Sequence, residues 1–536
     1  MLTNLINMNR LCQLLIFCWL VCGTSWAEGN LAVVERKPDR TVIYTQRMEL
    51  VGEETLLDVL QMVPDLMIEG YEDIVSNYNL RIDNGAMNGD PRLILSSMKA
   101  KDVACIQVCD NTGVAKGSSG MGRVLDINMA VKDTMKGSLE GQADMGRNPE
   151  GIGNANVLYG NGQTDIYANA SYRYQDRHKE FLTLHMTNRF DRRNRLLTYF
   201  TQQYIELPAD VSRKVMGRAR FFHTFNELGT ELLLVGGCQY ASDATTSNTL
   251  PLVNIELNTP LLTEQLHLML GVESDFLMTK QMQTNRSWDV FNHDFYLQLT
   301  YGLPKWKLSM GSRVSVYDYR LKDGHESRKN TDTRDNSYLC AIYVPNSRHQ
   351  ILCGYYRKYI NPSVAALFVG DNTLSDEEWA VTKGQLAERT INQMKMTYAY
   401  SRQKLTVQGE ASYITVDDGE NFTELGASAY WKLNWLTLTG GSNLYMAKSG
   451  SYASARFSPK AYLPHMWQIG LQAVFYTKQS PIRRVTGEPV YGCVSVNKQI
   501  GSKWYLGVDW HDMFDAVCSD VKVNRHAANI KLQYRF

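Results

Sequence analysis

Ten cysteines and ten histidines are the residues of this 536-residue chain best suited to covalent or metal chemistry. Cys340 and Cys353 are equidistant from the centre of "YVPNSRHQ" (343–350). A hairpin there sets them opposite each other, and directly opposed strand residues lie within disulfide reach. Two small apolar side chains facing lipid or lumen give the same spacing. Cys105 and Cys109 are four residues apart in a strand-like run, roughly 13 Å at strand rise, too far for a bridge. The remaining cysteines are scattered, and no CxxC, HExxH or clustered histidines supply a metal ligand set. "GSSGMG" (117–122) could turn backbone N–H groups toward an anion. The residues after it are strand-like, however, and the Lys-Ser/Thr of a phosphate loop is absent. Ser, His and Asp occur without grouping into a site. No catalytic residue, cofactor or metal is expected.

One polar stretch has binding chemistry. Residues 361–385 carry Phe368, Asp371, Asp376, Glu377, Glu378 and Trp379. That aromatic and acidic mix suits contact with a sugar, a peptide or a metal complex, and a solvated loop has the same composition.

The elements that would position such a loop are legible in composition and pattern. A formal charge of +1 creates no strong field toward nucleic acid. Tyr (30) and Gly (39) are plentiful and Pro (14) is scarce, which suits β-structure with aromatic belts. At the N-terminus, Arg10 precedes the apolar run "LCQLLIFCWLVC" (11–22), and Ser25 and Ala27 are placed for cleavage before Glu28. Residues 1–27 therefore read as an export signal, the apolar run being shorter than the ~20 residues of a helical span. No later run has that length, which leaves a periplasmic, secreted or outer-membrane product.

From about Met135 onward the chain alternates with period 2, the pattern of strands with one apolar and one polar face. "HDFYLQLTYGL" sets Phe295, Leu297, Leu299, Tyr301 and Leu303 against Tyr296, Gln298 and Thr300. "KWKLSMGSRVSVY" sets Trp306, Leu308, Met310, Val314 and Val316 against Lys307, Ser309, Arg313 and Ser315. About 22 such runs fit a large outer-membrane barrel. Their joints alternate between tight turns, such as "GNGQ" (160–163), "GLPK" (302–305) and "IGSK" (500–503), and longer polar stretches, such as 241–249, 321–336, 361–385 and 479–488. Short turns on one rim and longer loops on the other belong to such a barrel. Trp306, Trp435, Trp467 and Trp504 all follow tight turns. They are expected on the periplasmic rim as an aromatic girdle, with the indole N–H among headgroups.

Residues 28–131 differ. "GEETLLDVLQMVPDL" (52–66) has helical spacing ended by Pro64, followed by strand-like "YNLRIDNG", "DVACIQVCD" and "RVLDINM". This makes a small α+β unit ahead of a barrel over 132–536. Here the chain resembles the plug domain of TonB-dependent outer-membrane receptors, in the outer-membrane β-barrel branch common in Bacteroidota. The matching positions are Asp58, Leu60 and Pro64; Ile82, Asp83 and Gly85; Ile106 and Val108; Gly120, Gly122, Ile127 and Asn128. "VDWHDMFDA" (508–516) is similar to that branch's segment before the last strand, and Phe536 resembles its C-terminal assembly signal. "LAVVE", Leu31, Ala32, Val33, Val34 and Glu35, is the best match to a TonB box.

The resemblance implies a barrel of about 22 antiparallel strands with the small domain plugging a lumen too wide to stay open. It implies uptake of a scarce nutrient, whether siderophore, haem, oligosaccharide or peptide. Energy would come from TonB and its inner-membrane energising proteins, through strand pairing at the box. Barrel-assembly machinery and outer-membrane lipids are further implied partners, with a surface lipoprotein as a candidate. A receptor, adhesin or assembly component that keeps the plug without transport is the alternative, since the box is a loose match and the outer loops are short.

Overall fold

A computed structural model describes most of residues 34–535. Outside the described residues lie 1–33, 48–55, 61–77, 87–94, 110–122, 130–134, 361–388, 478–489, 511–527 and 536, with shorter gaps elsewhere. The expected signal, the Gly-rich segment, the loop bearing Phe368, Asp371 and Trp379, and Phe536 all fall there. So do Leu31, Ala32 and Val33 of the box and Asp58, Pro64, Asp83, Gly120 and Gly122 of the plug motif.

The described strands form two sheets. The first contains β1 (Val34–Lys37), β2 (Arg40–Ile43), β3 (Tyr78–Ile82), β4 (Gly85–Ala86), β5 (Val103–Cys109) and β6 (Arg123–Met129), in the order β1-β2-β5-β6-β3-β4. β3 and β6 run parallel. Alternate residues point to one face, so Ile43, Leu80, Ile106, Leu125 and Ile127 share a core, joined by Leu56, Val59 and Leu60 from helical backbone. Burial of each such side chain is worth about 1.5–3 kcal/mol. Tyr167 and Tyr430 belong to the second sheet and pack into this same core, which seats the small domain against the inner wall of the barrel.

The second sheet is a closed antiparallel barrel of 22 strands, from β7 (Met135–Asp144) to β28 (Ala528–Arg535). β28 returns to β7, with Ile530 beside Ala143 and Arg535 beside Ser138. Closure removes the edge, which is the condition for backbone to cross hydrocarbon as strands. The alternation sorts as the chemistry requires. Phe295, Leu297, Trp306, Leu308 and Met310 face outward, while Tyr296, Ser309 and Arg313 are buried on the inner side. An even-stranded antiparallel barrel with an apolar exterior is a transmembrane barrel of the Gram-negative outer membrane.

Tight turns gather on one rim, the periplasmic one in barrels of this type. At 160–163 Gly162 takes φ 79°, a left-handed value that a glycine adopts freely. The Asn161 Oδ1 there accepts the N–H groups of Gln163 (3.1 Å) and Thr164 (2.7 Å). Asp191 does the same at the next turn on that rim, accepting from the Asn194 side chain and from the N–H groups of Arg193 and Asn194. These bonds, the Asn194 side chain first, hold its carboxyl below the usual carboxylate range.

Two of the expected loops are strands. β13 (Glu231–Ser242) and β14 (Thr246–Pro260) leave only a short turn within 241–249, and β17 (Trp306–Asp323) and β18 (Glu326–Asn346) absorb most of 321–336. Above the bilayer both faces of a strand are wet, so polar residues replace the period-2 signal. The wall is consequently uneven: β18 has 21 residues, whereas β22 (Phe422–Lys432) has 11.

The cysteine pair also differs from expectation. A bulge between Tyr343 and Asn346 shifts β18 against β19 (His349–Ile360), so Cys340 lies beside Gly354 and Ala341 beside Cys353. Cys340 is buried on the inner face, Cys353 is exposed on the outer face, and neither forms a disulfide. Wild type and Cys340→Ala should therefore migrate identically with and without reductant, and only Cys353 of the two should react with a bulky maleimide in micelles.

Candidate functional site

The lumen holds the groups that the fold brings together, in three sets. The first is the edge of the plug sheet. β1 pairs with β2, Val34 beside Ile43 and Glu35 beside Val42, so the described part of the box is a hydrogen-bonded edge strand. Its other side has no partner strand among the described residues. An edge of this kind accepts another chain's strand. Of the plug motif, Leu60 is buried in the core, Ile82 and Gly85 lie on β3 and β4, and Asn128 on β6 donates its side-chain amide to the Cys105 sulfur at 3.3 Å.

The second is where plug meets wall. Asp126 on β6 is fully buried, and the adjacent position on β3 is Arg81. His185 on β10 (His178–Arg189) and Arg220 on β12 (Asp210–Thr224) both interact electrostatically with Asp126. Nearby, the Arg313 Nη2 donates to Glu273 at 3.0 Å and to Asp294, and the Asn292 Nδ2 donates to Asp294 (3.1 Å) and Asp275 (3.0 Å). The Tyr296 hydroxyl bonds Asn254 (3.0 Å) and Glu256 (2.9 Å) beneath the same guanidinium. Arg313 and Asp294 are almost fully buried, which a charge tolerates only when paired and hydrogen-bonded.

The third lies toward the rim opposite the tight turns. Trp288 and Val290 near the outer end of β16 (Arg286–Gly302) cluster with Tyr317, and Leu277 and Tyr319 pack against them. The Arg334 guanidinium lies 4.7 Å from the Tyr317 ring centroid and donates to the Tyr319 hydroxyl at 3.2 Å. Aromatic faces beside a planar cation suit a flat conjugated group or an anion.

Trp306, Trp467 and Trp504 each open a strand directly after a tight turn, Trp435 stands in one, and all four are exposed on that rim. Among the described residues no group of three or more His, Cys, Asp or Glu could hold a metal. The luminal charges and the aromatic cluster do not stand out in the sequence. The signal available is a lone charge on the polar side of a strong lipid-facing run, as Arg313 is between Met310 and Val314.

The class defined by these features is an outer-membrane β-barrel whose lumen contains a folded six-stranded sheet. No family model and no curated protein matches the sequence. Solved structures do match. The siderophore receptor PirA of Pseudomonas aeruginosa superimposes with a TM-score of 0.65 at 12% identity, over 94% of this chain and 100% of that one. The copper transporter OprC gives 0.67 at 11%, over 95% and 100%. The alcaligin outer-membrane receptor FauA of Bordetella pertussis gives 0.60 at 12%, over 93% and 95%. The chain shares the fold of these receptors and transporters.

Proposed function

We propose that this protein imports a scarce nutrient across the outer membrane with energy delivered by TonB. The observation that carries the reading is the sheet seated inside the barrel, because a pore of 22 strands would leak without a filling domain. Proteins of this fold are described as siderophore, copper and alcaligin receptors or transporters. Trp288, Tyr317, Tyr319 and Arg334 suit a compact planar or anionic chelate, within a wider range of siderophore, haem, oligosaccharide or peptide. In this reading the segment Leu31–Glu35 is the TonB box, Phe368, Asp371 and Trp379 contact substrate from the outer loop, and the four rim tryptophans form the periplasmic girdle. Phe536 is the signal to the assembly machinery, a surface lipoprotein is a candidate lid, and the sequence pattern favours the Bacteroidota branch.

The test is a crosslink in cells. With native cysteines replaced, Glu35→Cys should form a disulfide with a cysteine in the TonB periplasmic domain, while Asn161→Cys, in a tight turn of the periplasmic rim, should not. If an assembled barrel gives no crosslink at 35, the non-transporting receptor becomes the better reading.

A further inference from the structure

We propose that the outward face of the barrel around the β28–β7 seam binds one phospholipid of the periplasmic leaflet. Its acyl chain would lie in a trough across the wall and its phosphate beside Lys503.

Register builds the trough. Gly141 on β7 lies between Leu532 on β28 and Gly153 on β8 (Glu150–Gly160), and Ala155 lies between Leu139 and Ala170 on β9 (Thr164–Tyr174). The outward positions Gly141, Gly153, Ala155 and Ala170 thus carry at most a methyl group beside the exposed Leu139, and a Cβ added at Gly141 or Gly153 would meet nothing within 4 Å. Large side chains stand at both ends, Leu532 and Tyr534 with Trp504 on one, Tyr172 and Leu182 on the other. The depression has a volume of about 890 Å³. From β28 to β10 it crosses four interstrand spacings, about 19 Å, comparable with an extended fatty chain.

The occupant is set by the surroundings. The trough opens onto hydrocarbon, and an unfilled groove forfeits the dispersion contacts of its lining. At its tight-turn end sit two amphipathic rings, Trp504 and Tyr534, 4.8 Å between centroids. The Lys503 Nζ lies 6.0 Å from the Tyr534 ring. A cation beside an interfacial Trp–Tyr pair fits a headgroup phosphate, with the chain leading away over the glycines. On the luminal side of the same seam Lys531 bridges to Glu140 at 3.0 Å, so a lodged chain would clamp from outside a joint that this ion pair fastens from within.

The experiment is native mass spectrometry of the full chain, transferred into detergent from nanodiscs of mixed phosphatidylethanolamine and phosphatidylglycerol. Wild type should retain one phospholipid. The double variant Gly141→Leu/Gly153→Leu fills the trough and should lower retention about tenfold, the loss expected when roughly two methylenes are no longer buried. Lys503→Glu should lower it as well, and Leu297→Ala, on distant β16, should leave it unchanged. Should the double variant fail the heat-modifiable gel shift of a folded barrel, Ala155→Phe gives the same reading. Retention unaltered by filling, or no lipid on wild type, would overturn the proposal. So would a wild-type dimer that the filled variant dissolves, since the occupant would then be a second copy.

Discussion

Ile127→Asp is expected to turn the closed barrel into an open channel. Ile127 is fully buried, flanked in the sheet by Ile106 on β5 and Ile82 on β3. Removing its side chain costs about 2–5 kcal/mol, and burying a carboxylate there adds several kcal/mol more. Together these rival the ~5–15 kcal/mol that hold an ordinary domain. Among the described residues the barrel contributes only Tyr167, Tyr430 and the partly buried Leu158 to that core. The variant should therefore still shift on a gel as a folded barrel, yet conduct ions continuously in planar bilayers and admit large hydrophilic antibiotics into cells. A variant barrel as silent as wild type would mean that something other than this sheet seals the lumen.

The second large effect is expected at Arg313. Arg313→Leu leaves Asp294 and Glu273 buried on the wall without the guanidinium that joins them. Breaking a buried pair by removing one partner costs about 3–5 kcal/mol. In micelles the urea midpoint, followed by tryptophan fluorescence, should fall accordingly. Adding Asp294→Leu and Glu273→Leu to the same variant should restore much of the loss, because an apolar replacement of a whole buried ion cluster is often neutral. If the single variant unfolds like wild type, water reaches these carboxylates and the cluster is not a structural joint.

Much of the barrel can be read from residues alone, for a physical reason. Within the bilayer each strand has one lipid face, so runs such as Trp306–Val316 and Phe295–Leu303 reveal strand, face and register parity at once. Where the solvent changes, the code disappears. The segments 241–249 and 321–336 have the composition of loops because a strand standing in water needs no apolar side. Register between strands is harder still. One bulge after Tyr343 moves Cys340 and Cys353 to opposite faces of the wall. The luminal groups depend on register several times over: Glu273, Asp294 and Arg313 meet only when three long strands are aligned. Their convergence is a property of the closed sheet and leaves no spacing in the sequence.

The long strands also carry the protein out of the membrane. At about 3.4 Å per residue and a tilt near 40°, the 21 residues of β18 rise about 55 Å, roughly twice the ~25 Å apolar band of an outer-membrane barrel. The β17–β18 hairpin therefore stands as a ribbon in the aqueous layer outside the bilayer, where an antibody or a protease added to intact cells would reach it.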